Sequence, residues 1–227
     1  MKEKNMCESS DYYQLTPKQE RYLKVKSAAD VILGCAGSVI LSPVFLAIAC
    51  AIKIEDGITA PVIFKQKRVG CGDECFQMYK FRSMKLDTPH DCPTHLLENP
   101  EQYITKVGKF LRKTSLDELP QLWNIAAGKL AVIGPRPALW NQDDLIALRR
   151  KYGVHQLKPG LTGLAQICGR DTLEIEDKAK MDAKYLRHLG LPLDIWCFLG
   201  TFVAVIKGDN VVEGGTGAMK KKENETI

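Results

Sequence analysis

The stretch from Asp30 to Lys53 constrains this chain more than any other, because no charged residue interrupts the apolar run between those two ends. Such a length is sufficient to cross a bilayer core. Ser42-Pro43 falls at its midpoint. Lys18, Arg21, Lys24 and Lys26 precede the run, and Lys53, Lys65, Lys67 and Arg68 follow it. Positive charge beside a membrane segment favours the cytoplasmic side. A straight span would translocate one basic cluster, whereas a hairpin entering and leaving by the same leaflet would translocate neither. Pro43 removes a helical N–H and pushes Ser42 out of helical dihedrals, and the Ser42 hydroxyl offers a partner to the freed backbone. A re-entrant helix hairpin broken at Ser42 and Pro43 is the favoured reading. A kinked single span and a buried core helix are the alternatives.

With the anchor set aside, 227 residues leave room for one moderate domain with its own core. The net charge of +5 suits an anionic membrane surface or a phosphate-rich substrate. The basic residues are not interleaved with stacking aromatics, so no nucleic-acid partner is expected. The apolar run is too long and starts too late for a cleavable signal peptide. The eight cysteines form no CxxC pair, and reduced thiols facing the cytoplasm are expected. Cys35, Cys50, Cys168 and Cys197 sit in apolar stretches and read as packing residues. Cys71, Cys75, His90, Cys92 and His95 are zinc-type ligands, but their spacing matches no common zinc module.

Four segments follow: a polar N-terminal 1–23, loosely ordered in its first twenty residues; an anchor over 24–54; a catalytic domain over 55–219; and a charged tail over 220–227. Residues 61–69 and 75–82 alternate apolar and polar around a glycine-containing turn and predict a β-hairpin. Residues 86–100, with Pro89, Pro93 and Pro100, read as loop. Glu101–Lys113 has helical apolar spacing with four basic residues between, fitting either an interfacial helix or a surface helix packed on the core. Ile195–Ile206 is apolar but too short to span. The fold class expected is α+β, mostly helical.

The chemistry concentrates at Lys113-Thr-Ser-Leu-Asp117-Glu118-Leu-Pro120. Ser115 and Glu118 fit a capping box, and Pro120 suits a first turn. Asp117 and Glu118 are thus expected at a helix N-terminus, where negative charge is favoured; a plain helix cap is the alternative. Gly134-Pro-Arg136-Pro137 fixes an arginine between two prolines. Lys158-Pro-Gly160-Leu-Thr-Gly163, with Gly169-Arg170-Asp171 beyond it, presents cations and exposed amides, and Lys80-Phe-Arg82 adds another cationic pair. Arginines held in rigid contexts are good phosphate forks. Acids for a hard metal beside arginines for phosphates point to a Mg²⁺-nucleotide site, without a Walker A sequence or a dinucleotide fingerprint.

These runs resemble the bacterial sugar transferases, the monotopic phosphoglycosyl transferases that act on polyprenyl phosphate. The resemblance rests on Pro61–Gly70, Tyr79–Met84, Arg112–Asn124, Val132–Pro137, Lys158–Asp171 and the hairpin with Ser42-Pro43, with Glu213–Gly217 and Pro93–Leu97 similar to branch-specific motifs. It implies a Mg²⁺-dependent transfer of a sugar 1-phosphate from a UDP-sugar to a polyprenyl (undecaprenyl) phosphate, releasing UMP. Asp117 would be the nucleophile, Glu118 the Mg²⁺ ligand, and Arg136, Arg82, Arg112 and Arg170 the phosphate shell, with Lys80 and Gln166 as lesser members. It also implies a cytoplasmic-face, monotopic location on the bacterial inner membrane among its lipids, with downstream glycosyltransferases as partners. Departures are few: Lys26-Ser27 replaces a usual Lys-Arg, Leu164 a usual tryptophan and Ala131 a usual serine. None touches the acidic pair, but they leave donor preference open. A membrane-bound scaffold is the rival reading; it leaves Asp117, Glu118 and Arg136 without a task.

Overall fold

A computed structural model describes residues 12–88, 100–169 and 173–207, without the side chains of 100 and 205–207. Arg170, His90, Cys92, His95, the Pro93–Leu97 and Glu213–Gly217 motifs and the tail over 220–227 lie outside the described residues. The architecture is a mostly helical α+β fold with two small sheets.

Helix α1 (Pro17–Ile40) starts where Thr16 and Gln19 complete a capping box, and α2 (Ser42–Asp56) follows with Pro43 in its first turn. Proline suits that position because the first helical N–H groups lack carbonyl partners anyway. The two helices bend by 60° at Leu41, and together they are long and apolar enough for a membrane; no single helix among the described residues is. Near the break, the hydroxyl that bonds a helix carbonyl is that of Ser38, donating to Gly34 at 2.7 Å, rather than the one expected from Ser42.

The expected hairpin is present: β1 (Ile63–Val69) pairs antiparallel with β2 (Cys75–Phe81) from Ile63↔Phe81 to Val69↔Cys75. The expected helix after Glu101 starts later. A short turn at Pro100–Tyr103 precedes α3 (Lys106–Thr114), because Thr105 takes the cap by accepting from Gly108 N–H at 2.9 Å. Then come α4 (Gln121–Ala126), β3 (Ala131–Ile133), α5 (Asp143–Tyr152), β4 (Gly160–Thr162), α6 (Leu164–Cys168), α7 (Ile175–Arg187) and α8 (Leu191–Lys207).

Strands β3 and β4 pair in parallel, which corrects the expectation of exposed amides over 158–163. Gly160 N–H donates to Pro135 at 2.8 Å, and the Thr162 carbonyl accepts from Gly134. The approach is so close that a Cβ at Gly160 would lie 2.1 Å from Gly134 N. Lys158, expected among the free cations, donates instead to the Ser27 hydroxyl at 2.6 Å.

One apolar core joins β3, α7 and α8 to the start of α1; another packs Ile48 and Ile52 of α2 on Phe81 and Leu111. Helix α1 crosses α4 at Gly34, where a Cβ would meet Ala126 N at 2.6 Å. The N-terminal residues expected to be loose are tied down from Tyr13, whose amide donates to Tyr152 and whose carbonyl accepts from Gln156. A buried polar cluster fastens α1 to α8. Lys26 pairs with Asp30 at 3.0 Å and lies 3.5 Å from Asp194, which accepts from Tyr22 at 2.7 Å and Tyr185 at 2.6 Å.

Cys197 alone of the four apolar-context cysteines is buried; Cys35, Cys50 and Cys168 are exposed. The apolar segment near residue 200 forms α8, and Ile195, Trp196, Phe198, Leu199, Phe202 and Val203 on it are exposed. With Ile32, Leu33, Val39, Ile40 and Leu46 of the bent pair also exposed, the apolar surface exceeds what isolated surface residues account for.

Candidate active site

Asp117 and Glu118 sit on a tight turn, Leu116–Glu118, between α3 and α4. The capping box expected at Ser115 does not form. Ser115 adopts φ 57° and ψ 16° and makes no side-chain cap, because α3 ends there in a left-handed turn before α4 begins. The Glu118 carboxylate is used elsewhere. Its Oε1 accepts from Lys80 Nζ and from Arg136 Nη2, each at 2.8 Å.

Lys80 comes from β2, and its Nζ lies 4.0 Å from Asp117 Oδ2. Arg136 arrives from the Pro135–Pro137 loop after β3. Asn124 locks these pieces together: its Oδ1 accepts from Tyr79 N–H at 3.0 Å and its Nδ2 donates to Gln77 at 2.7 Å. That double bond to a strand edge holds α4 beside the strand that carries Lys80. The sequence signal was a lone amide in the apolar run Leu122–Ala126, and it was given no role.

Burial separates the two acids. Desolvation lifts Asp117 above the usual carboxylate range; Lys80, Arg112 and Arg136 oppose this and the Glu118 charge adds to it. Burial also acts to raise Glu118, but Arg136 and Lys80 outweigh it and hold the group well below that range. The structure therefore brings together Asp117, Glu118, Lys80, Arg112 and Arg136. Arg82 is only 6 % exposed and is paired with Asp56 at 2.9 Å, at the end of α2. Gln166 is buried in α6 with no hydrogen-bond partner at either amide atom.

For a metal, the donors are two carboxylates. No cluster of three or more acidic, histidine or cysteine ligands occurs among the described residues. This set suits Mg²⁺, which commonly uses one or two carboxylates together with substrate phosphates. It does not suit zinc, and the two cysteines of the zinc-type group that are described, Cys71 and Cys75, are exposed.

The bacterial sugar transferase family matches residues 21–208, and the chain belongs to that family. Among individual relatives, a UDP-glucose:undecaprenyl-phosphate glucose-1-phosphate transferase of Escherichia coli is 39 % identical over 191 residues, 81 % of this chain and 40 % of the relative. A UDP-N-acetylgalactosamine-undecaprenyl-phosphate N-acetylgalactosaminephosphotransferase of Aeromonas hydrophila is 31 % identical over 82 % of this chain and 45 % of its own length. An uncharacterized sugar transferase of Bacillus subtilis is 38 % identical over 74 % of this chain and 78 % of its own. The chain thus spans less than half the length of the first two.

Proposed function

We propose that this protein transfers a sugar 1-phosphate from a UDP-sugar to a membrane polyprenyl phosphate, releasing UMP, as the first membrane step of bacterial glycoconjugate assembly. The observation that carries this reading is the Asp117–Glu118 pair held by Lys80 and Arg136, in a chain of the bacterial sugar transferase family. An Asp117 carboxylate oxygen attacks the sugar-linked phosphorus. The bond from that phosphorus to the bridging oxygen breaks, and UMP leaves with the electron pair. A lipid phosphate oxygen then attacks the same phosphorus and frees Asp117. Two half-reactions at one carboxylate let a soluble nucleotide and a lipid use the site in turn. Lys80, Arg112 and Arg136 face the oxygens on which charge shifts during each displacement. Glu118 would hold Mg²⁺, which would supply charge neutralisation at the diphosphate.

The α1–α2 pair acts as a re-entrant anchor at the cytoplasmic face, and exposed apolar side chains of α8 meet the same lipid. Arg82, by its pairing with Asp56, serves as a strut to the anchor before it serves as a phosphate ligand. The test is nucleotide release from protein in nanodiscs with Mg²⁺, polyprenyl phosphate and a panel of UDP-sugars. UMP with one or two donors is the expected outcome. UDP would replace the covalent scheme by direct glycosyl transfer, and silence with every donor would count against the assignment.

A further inference from the structure

Helix α3 carries Arg112 and ends at Ser115, two residues before Asp117. Its N-terminus is capped from outside its own segment. Glu55, the penultimate residue of α2, accepts from Lys106 N–H at 2.7 Å through Oε1 and from Val107 N–H at 2.8 Å through Oε2. Thr105 and Glu55 thus share the first free amides of α3, and the carboxylate sits where the helix dipole favours negative charge. Two residues further on, α3 runs against Ser83 so tightly that a Cβ at Gly108 would lie 2.0 Å from the Ser83 carbonyl oxygen. Thr105 N–H also donates to that carbonyl at 3.2 Å. The close approach at Gly108 pins α3 against Ser83.

We propose that Glu55 is a positioning residue for the acidic site: by gripping α3 from the last turn of the anchor, it sets the tilt of that helix and hence where Arg112 stands relative to Asp117. This rests on the reading of the site given above. Arg112 lies four residues beyond the pinned point, roughly 6 Å along the axis, so a tilt of about 10° displaces its backbone by about 1 Å. Misplacement on that scale is costly for an oriented charge. Nothing in Glu55 itself needs to touch substrate. Its neighbour Asp56 ties the same turn of α2 to Arg82 just past β2, so the anchor's exit grips two of the three elements that bring cations to the site.

The experiment compares wild type, Glu55→Ala and the milder Glu55→Gln in nanodiscs, each with and without Arg112→Lys. Single-turnover UMP release and amide hydrogen exchange over 105–119 are the readouts. Glu55→Ala is expected to slow release about tenfold, Glu55→Gln less, with exchange quickened from Lys106 through Glu118. In the Arg112→Lys background the Glu55 effect should vanish, because both changes act through one group. Multiplying effects in the double variant would overturn the proposal. So would quickened exchange confined to the first turn of α3, a result that needs no turnover to read. An inactive wild type would instead sink the assigned reaction.

Discussion

Two clusters in this protein pair acids with lysine away from bulk water, and they differ in their balance of charge. In the cluster of Lys26, Asp30, Asp194, Tyr22 and Tyr185, the acids are served locally: Asp194 takes both tyrosine hydroxyls and lies near Lys26, while Asp30 takes Lys26 and the amide of Val132. Acids outnumber the cation, and neutral donors fill the remaining need. At Asp117 and Glu118 the balance is reversed. Lys80, Arg112 and Arg136 face two carboxylates, so the cations outnumber the acids there. The first arrangement is closed and joins helices; the second gathers three cations from separate elements around the acidic pair.

The largest effect expected from this contrast is at Asp117. Asp117→Asn should lower UMP release by about 10³-fold or more while leaving thermal unfolding close to wild type. Near-normal release by that variant would remove Asp117 as nucleophile.

Next come the cations. Arg136→Ala should slow turnover by about 10²-fold, read as kcat/KM for the UDP-sugar. The same cations govern pH dependence. Because burial lifts Asp117, its ionised fraction falls as pH drops through a range above that of an ordinary aspartate. The rate should therefore rise with pH along an acid limb displaced upward, and Lys80→Met should displace it further. A limb that stays put in Lys80→Met would show that Lys80 does not act on Asp117.

The closed cluster should respond in stability and not in chemistry. Asp194→Ala strands Tyr22 and Tyr185 and is expected to cost about 3 kcal/mol, seen as a lower unfolding temperature with kcat per folded molecule retained. Loss of turnover without loss of stability would erase the contrast between the clusters. The smallest change belongs to the surface pair Arg150–Asp73, in which the arginine side chain is 59 % exposed. Arg150→Ala should cost at most about 1 kcal/mol in chemical denaturation and leave UMP release untouched.

Local pattern made part of this legible. Alternation over 61–82 yields a hairpin because a strand's period is its own property, and Pro43 breaks the apolar run because proline cannot continue a helix. Local composition singles out Asp117–Glu118, but as a helix N-terminus; the pair stands instead on the turn before α4. The expected capping box does not form, because Lys80 and Arg136 are stronger partners for Glu118 than the backbone of Ser115 offers. The exposed amides expected over 158–163 fail for a related reason, since only the placement of β3 and the loop after it shows that Gly160 N–H is paired with Pro135.

The sequence by itself determined where helix, hairpin and acidic turn fall, because these follow from dihedral limits and from periodicity within a few residues. The tertiary structure decided which charges meet. Lys80 reaches Glu118 across 38 residues and Arg136 across 18, while Arg82, one strand position past Phe81, turns instead to Asp56. Coulomb attraction acts on distance in space, and that distance is set by the packing of β2, α3 and α4 against the anchor rather than by spacing along the chain.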